Sequence, residues 1–366
     1  MGSHTTMKSE HFQSLTPLSG LFELWDRRCQ PLGPPEPPAE PGFSGAGVLR
    51  IETDRGALAV RSWPTPGLPR VRIEGLHRLL EHVADTVPVA VPLAANGGSR
   101  LVEWNSRLWQ LEPWMPGVAD FRLDPSPERL AEAMATLGRF HRSAREFVPR
   151  GDVAEWFGSH SAMPSPAVGE RLRRLAAWER GWDTLVLRAR GTVSRWEREQ
   201  GQRDQRGWSE VIGEIDRLFC RGRGWVRRQL SVFVSTLFRC QPCLRDVWHD
   251  HLLWTGSQVT GLIDPGSARI DNVAIDVARL LGSLVEDDAQ GWERGLEAYE
   301  RAEGLSLEET GLVTVLDQSG VLLAGAVWVE RLADGTVARG SAVRVRRRLE
   351  EVVQRMRALV EKTGVV

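Results

Sequence analysis

Lysine is almost missing from this 366-residue chain: the two that occur, Lys8 and Lys362, sit at its ends. Every interior cation is arginine or histidine. Phosphate held by such a chain is held by arginine, whose planar fork matches phosphate oxygens and never deprotonates. Cysteine is scarce too. Cys29, Cys220, Cys240 and Cys243 are too few to staple a chain of this length, so reduced thiols are expected. Cys240 and Cys243 have redox or zinc spacing, but no second ligand pair of similar spacing accompanies them. An excess of one charge is also lacking, since 47 basic and 48 acidic residues nearly cancel. No overall field then draws the protein to nucleic acid or to an anionic membrane, which favours a small-molecule or protein partner. No apolar run approaches the length of a bilayer-spanning helix, and the amino terminus lacks the charged-then-apolar order of a signal peptide. A soluble, cytoplasmic protein is expected.

With 42% hydrophobic residues, the chain has enough material for two packed lobes. The opening MGSHTT carries no fold information. Residues 31–42, PLGPPEPPAEPG, are too rich in proline for helix or central strand, so residues 1–41 are expected to be a flexible segment and linker. GFSGAGVLRI and ALAVRSW then read as a hairpin around Asp54, Arg55 and Gly56. Ile73, Leu76, Leu79, Leu80 and Val83 recur at helical spacing, VPVAVPL reads as extended, and RLVEW and LWQLE form a second hairpin. This order predicts a small antiparallel lobe over 42–112 with one helix packed on it. From residue 113 the character is helical, beginning with a helix on which Leu130, Met134, Leu137 and His141 share a face. Arginine-, glutamate- and tryptophan-rich stretches over about 150–238 suit a helical insert whose tryptophans are core residues. The larger lobe spans 113–366, and the fold class is α+β.

The chemistry concentrates in residues 243–280, where acids and histidines surround two short strands, HLLW and QVTGLID. Asp246 lies in a loop entering this hairpin, His251 begins its first strand and Asp264 ends its second. A hairpin sets the start of its first strand beside the end of its second, so His251 and Asp264 are expected to be neighbours. Such a cluster can hold a hard cation and place a carboxylate where a hydroxyl proton must be accepted.

The segments LRDVWHDH and LIDPGSARI resemble those of phosphotransferases related to aminoglycoside and choline kinases, which carry H-G-D-x-x-x-x-N, a hairpin and an I-D-x-G-type segment. The resemblance implies a two-lobed, protein-kinase-like fold and transfer of the γ-phosphoryl group of ATP to a hydroxyl of a small molecule, with magnesium, or manganese, as the metal. It implies Asp246 as catalytic base, Asp264 and His251 as metal ligands, and Asp276 as a brace. Upstream, GFSGAG, with Gly42, Ser44 and Gly45, resembles the nucleotide-positioning loop. Arg61 stands where the family has a phosphate-gripping lysine, Glu74 resembles its ion-pair partner, and Glu112, Trp114 and Met115 fall in the hinge whose backbone would hold adenine. His141 matches a family histidine, although a packed role suits its apolar helix face. Leu244, Arg245, Arg61 and His251 all depart from the family pattern, which motivates a second reading as a noncatalytic, nucleotide-binding pseudokinase. A third reading takes His249 and Asp250 as a phosphohydrolase metal dyad. It is weaker, because the flanking segments read as strands rather than helices.

Overall fold

The computed structural model describes residues 18–38, 47–64, 67–200, 207–337 and 342–364. In chain order its elements are α1 (Ser19–Phe22), β1 (Gly47–Thr53), β2 (Gly56–Ser62), α2 (Arg70–Val83), β3 (Val102–Trp104), β4 (Arg107–Pro113), α3 (Pro127–Arg145), α4 (Ala154–Phe157) and β5 (His160–Pro164). There follow α5 (Pro166–Gln200), α6 (Trp208–Val232), β6 (Leu237–Cys243), β7 (Leu252–Thr255), β8 (Gln258–Leu262), β9 (Arg269–Asp271), α7 (Ala274–Leu284), α8 (Ala289–Ala302), α9 (Leu307–Ala333) and α10 (Ala342–Lys362). The chain forms two compact units. One comprises Met1–Ser159, Gln241–Ile270 and Arg294–Gly304; the other comprises His160–Cys240, Asp271–Glu293 and Leu305–Val366.

The first unit contains a four-stranded antiparallel sheet ordered β1-β2-β4-β3. Its second hairpin turns through Asn105 and Ser106, whose φ values of 48° and 59° match the twist of the flanking strands. Leu49, Ile51, Leu58, Val60, Trp109 and Leu111 alternate along the strands and form one core. Leu21, Phe22, Trp25 and Cys29 cover that core. Leu32 then donates its backbone N–H to Glu52, and Glu36 and Arg50 exchange backbone bonds of 2.8 and 2.7 Å. Residues 18–38, expected to be flexible, are therefore part of the fold. Proline argues against a central strand but permits an extended edge, and the apolar LFELW ahead of the prolines supplies the anchor. VPVAVPL is extended as expected, but it joins other strands only through single contacts: Val89 bridges Leu262, and Leu93 N–H reaches Leu111.

Within this unit, α3 starts at a Ser126 cap followed by Pro127 and buries Leu130, Met134, Leu137 and His141, the face its periodicity indicates. The His141 imidazole is fully buried and shares a 2.8 Å hydrogen bond with the Tyr299 hydroxyl, as a packed histidine does.

In the second unit α5 and α6 pack with α9, which also meets α7 and α10. Trp182 lies 4.1 Å from the Phe219 ring centroid, and Trp178 meets the same ring edge-on, so these insert tryptophans are core residues. Helix α9 is long and apolar enough to cross a membrane, contrary to the expectation from sequence, and 67% of its most apolar stretch is buried inside the protein. Its glycines, threonines and Asp317 break what would otherwise read as one apolar run. None of the four cysteines is in a disulfide. Burial first, then the charges of Asp271 and Glu309, pushes the Cys240 thiol up to about 12, which leaves it a poor nucleophile.

The packing of Trp25 is open to a direct check. Trp25→Ala should lower stability by about 3–5 kcal/mol in equilibrium denaturation, as for other buried aromatics. A loss below about 0.5 kcal/mol, typical of surface positions, would return this segment to linker status.

Candidate functional site

The site is built on strand register. Arg61 on β2 stands opposite Gln110 on β4, with Glu112 one diagonal step away, so the period of two sets all three side chains on one face of the sheet. Arg61 Nε donates to Glu112 Oε1 at 3.2 Å, and Arg61 Nη1 donates to Asp264 Oδ1 at 3.2 Å. Burial by itself would lower the Arg61 pKa. The carboxylates of Glu112 and Asp264 outweigh it, and the pKa rises above the ordinary guanidinium value. Behind Glu112 the network continues: Gln110 Nε2 donates to Glu112 Oε2 at 2.5 Å, while Trp63 Nε1 and His77 Nε2 meet Gln110 Oε1 at 2.8 and 2.9 Å. Because Gln110 Oε1 only accepts, His77 carries its proton on Nε2.

Asp264 follows β8 at φ 55° and ψ 53°, a left-handed conformation that aspartate tolerates better than most residues. Arg245, where the resembling family has glycine, also has a positive φ, 65°. A non-glycine residue there is held against about 1–2 kcal/mol of strain. As the hairpin reading requires, Ile263 N–H donates to the His251 carbonyl at 3.0 Å, and His251 Nε2 lies 4.0 Å from Asp264 Oδ2. The segment after β4 meets β2 and the β7–β8 hairpin. Trp114 N–H donates to Ala57, Thr260 Oγ1 donates to the Pro116 carbonyl at 2.8 Å, and Val118 exchanges backbone bonds with Trp254. Gly117 is needed there: at φ +99°, with Trp254 O 2.7 Å from where a Cβ would stand, no side chain fits. Met115 packs equally close to Gly261. Asp246 lines a neighbouring cavity with Gly266 and Ser267.

Two expectations change. Glu74 pairs with Arg70, one helical turn away at 3.5 Å, and the partners of Arg61 are Glu112 and Asp264 instead. The helical pattern cannot reveal this, because it does not say which side chain the sheet register sets beside Arg61. His251 Nε2, the nitrogen nearer Asp264, is already engaged. Trp248 Nε1 donates to His251 Nε2 at 2.8 Å, which occupies the lone pair a metal would need. Asp264 does fit a hard cation: its side chain is 36% exposed, and Oδ2 remains beside the Oδ1 that Arg61 engages. Gly42, Ser44 and Gly45 lie outside the described residues. His249, 5% exposed, pairs with Asp250 at 3.2 Å and meets Trp248 edge-on, so it is packed rather than open to water. The sequence reading missed Gln110, Trp63, His77 and Trp248 as site residues. The alternation in LWQLE, core residues Trp109 and Leu111 against Gln110 and Glu112, was the available signal.

Two measurements follow from this geometry. Burial holds the His77 pKa down to about 4, below an unfolded value of about 6.5. Stability should therefore be full above pH 6.5 and fall as pH drops toward 4, by about 3 kcal/mol in all. His77→Phe should flatten that slope in denaturation measured across this range; an unchanged slope would assign it elsewhere. Because Trp248 occupies the His251 lone pair, His251→Asn should leave the ratio of magnesium to manganese affinity within about twofold, since magnesium affinity rests on oxygen ligands. A shift toward magnesium in calorimetry would make His251 a ligand after all.

No curated protein gives a significant match to this chain. Solved structures do match. A microcompartment-associated aminopropanol kinase superposes with a TM-score of 0.64 at 15% identity, covering 96% of this chain and 99% of that one. The amicoumacin kinase hAmiN, bound to AMP-PNP, Ca2+ and amicoumacin, gives 0.61 at 13% identity with 94% of each chain covered. An aminoglycoside phosphotransferase from Alicyclobacillus acidocaldarius gives 0.57 at 15% identity, covering 93% and 92%. At such identities these likenesses establish the fold, which is the two-lobed kinase-like α+β fold. The model of the phosphotransferase enzyme family matches residues 37–312, a span that takes in Arg61, the hinge, Asp246 and Asp264, and the chain therefore belongs to that family.

Proposed function

We propose that this protein transfers the γ-phosphoryl group of ATP to a hydroxyl group of a small molecule. The observation that carries the reading is the Arg61 bridge: a cation on the sheet, held by Glu112, salt-bridged to the carboxylate that follows β8, in a chain of a phosphotransferase family. Residues 42–112 would serve as the nucleotide lobe, with the backbone of Glu112–Met115 beside adenine and Gly42, Ser44 and Gly45 near the phosphates. Phosphoryl transfer needs positioning and charge neutralisation more than covalent chemistry. Arg61 supplies a fixed positive charge for the phosphates. Asp264 Oδ2 would hold magnesium, which when bound neutralises phosphate charge. Asp246 accepts or orients the hydroxyl proton at its carboxylate.

One observation favours the second reading, a nucleotide-holding relative without transfer. The loop that presents Asp246 departs from the family pattern, because Arg245 stands at φ 65° where the resembling family has glycine.

Turnover separates the two. With labelled ATP, magnesium and a pool of small alcohols, label should appear in an alcohol phosphate. Asp246→Asn should reduce transfer by about 10²–10⁴-fold, the usual contribution of a general base, while keeping nucleotide affinity. Asp264→Asn should instead abolish magnesium-dependent nucleotide binding. Nucleotide binding without transfer to any alcohol would favour the nucleotide-holding relative, and near-normal transfer by Asp246→Asn would remove that residue from the chemistry.

A further inference from the structure

The cavity beside Asp246 has a charge that the proposed transfer does not use. It encloses about 420 Å³, and Arg72, Arg245 and Arg269 line it together with Asp246, Gly266 and Ser267. Three arginines and one aspartate are thus brought to one lining. Arginine does not shed its proton to escape such crowding.

Arg72 is the most telling of the three. It is only 9% exposed, and its guanidinium lies over the Trp156 ring at 5.0 Å. Nη2 donates to the Ala268 carbonyl at 3.3 Å and, at 3.5 Å, more weakly to that of Gly266. Those two contacts leave Nε and Nη1 for other acceptors, and among the described residues no carboxylate pairs with Arg72. Burial, then the like charges of Arg269 and Arg245, pull its pKa below the ordinary guanidinium value. A buried cation without a counter-charge is expensive, and an oxyanion is the ligand that a guanidinium fork binds best.

We propose that Arg72, Arg245 and Arg269 bind an oxyanion, and that it belongs to the acceptor: the hydroxyl compound presented to Asp246 carries a phosphate or carboxylate group. The assignment to an acceptor rests on the reading of Asp246 as the base. The alternative source, the nucleotide's own phosphate, is disfavoured because Arg61, the cation assigned to it, does not line this cavity. Arg245 adds a further argument. The backbone strain at its positive φ is tolerated at a position that sets a guanidinium beside Asp246, where glycine would relieve the strain and remove the charge.

The test uses the full chain and two probes, inorganic phosphate and malonate, titrated calorimetrically with and without saturating AMP-PNP and magnesium. At least one probe should bind, with its affinity unchanged by AMP-PNP, and Arg72→Met should weaken it at least tenfold. Arg269→Gln, at a less buried position, should do the same and covers the case in which Arg72→Met fails to fold. In turnover, phosphorylated alcohols and hydroxy acids should exceed neutral or cationic alcohols of similar size at least tenfold in kcat/KM. Arg269→Gln should raise KM for the anionic acceptor at least tenfold and leave KM for ATP within twofold. Absence of binding by both probes, or binding indifferent to both substitutions, would overturn the oxyanion site. Loss of probe binding on adding AMP-PNP would hand the arginines to the nucleotide and overturn the acceptor. Arginine-dependent probe binding in a protein that binds no nucleotide would keep the oxyanion site, overturn its assignment to an acceptor and sink the transfer reading separately.

Discussion

The ion pair between Arg61 and Asp264 is the constraint around which the candidate site is arranged. Arg61 comes from the sheet and Asp264 from the end of a hairpin 203 residues further along the chain. A charge as buried as Arg61, with its side chain 13% exposed, is tolerable only when compensated. Glu112 supplies the compensation within the sheet. Gln110 holds Glu112, and Trp63 and His77 hold Gln110, so that each of these side chains is fixed by the next. A clamp of this kind fixes the orientation of Asp264, and pre-organised charge is what the proposed transfer would draw on most.

Backbone strain tells a complementary story. Asp264 and Arg245 both adopt left-handed conformations, and both belong to the candidate site. The segment after β4, by contrast, uses glycine where the geometry leaves no room, at Gly117 against Trp254 and Thr260. Where a side chain contributes nothing, glycine takes the strained position; where one contributes charge, the strain is retained. The three arginines around Asp246 extend the same logic, since like charges are kept together in a place where a neutral residue would be easier to accommodate.

Much of this was legible in the sequence. The hairpin over residues 252–262 follows from alternating apolar residues around a glycine turn, and it alone makes His251 and Asp264 neighbours. The core helices follow from their periodicity, and the burial of His141 from its place on an apolar face. The proline-rich segment misled because composition describes what proline forbids, while the fold exploited what it allows, an extended edge over a core already waiting for Trp25. Apolar helix α9 escaped notice for a related reason: interruption by small and polar residues hides a helix whose burial is decided by its neighbours.

Local pattern singled out the candidate site residues, because acids, histidines and arginines at loop and strand ends are set by turn geometry and by side-chain periods of 2 and 3.6 that involve only near neighbours. Pairing was decided by the tertiary structure alone. The sequence offers Glu74 as the partner of Arg61, and only the register of β2 against β4 brings Glu112 to it. In the same way His251 offers a ligand nitrogen in the sequence, and only the fold turns the Trp248 indole N–H onto it. Arg72, Arg245 and Arg269 are scattered over nearly 200 positions and converge on one cavity only when the chain is folded, since charge acts through space and not along the sequence.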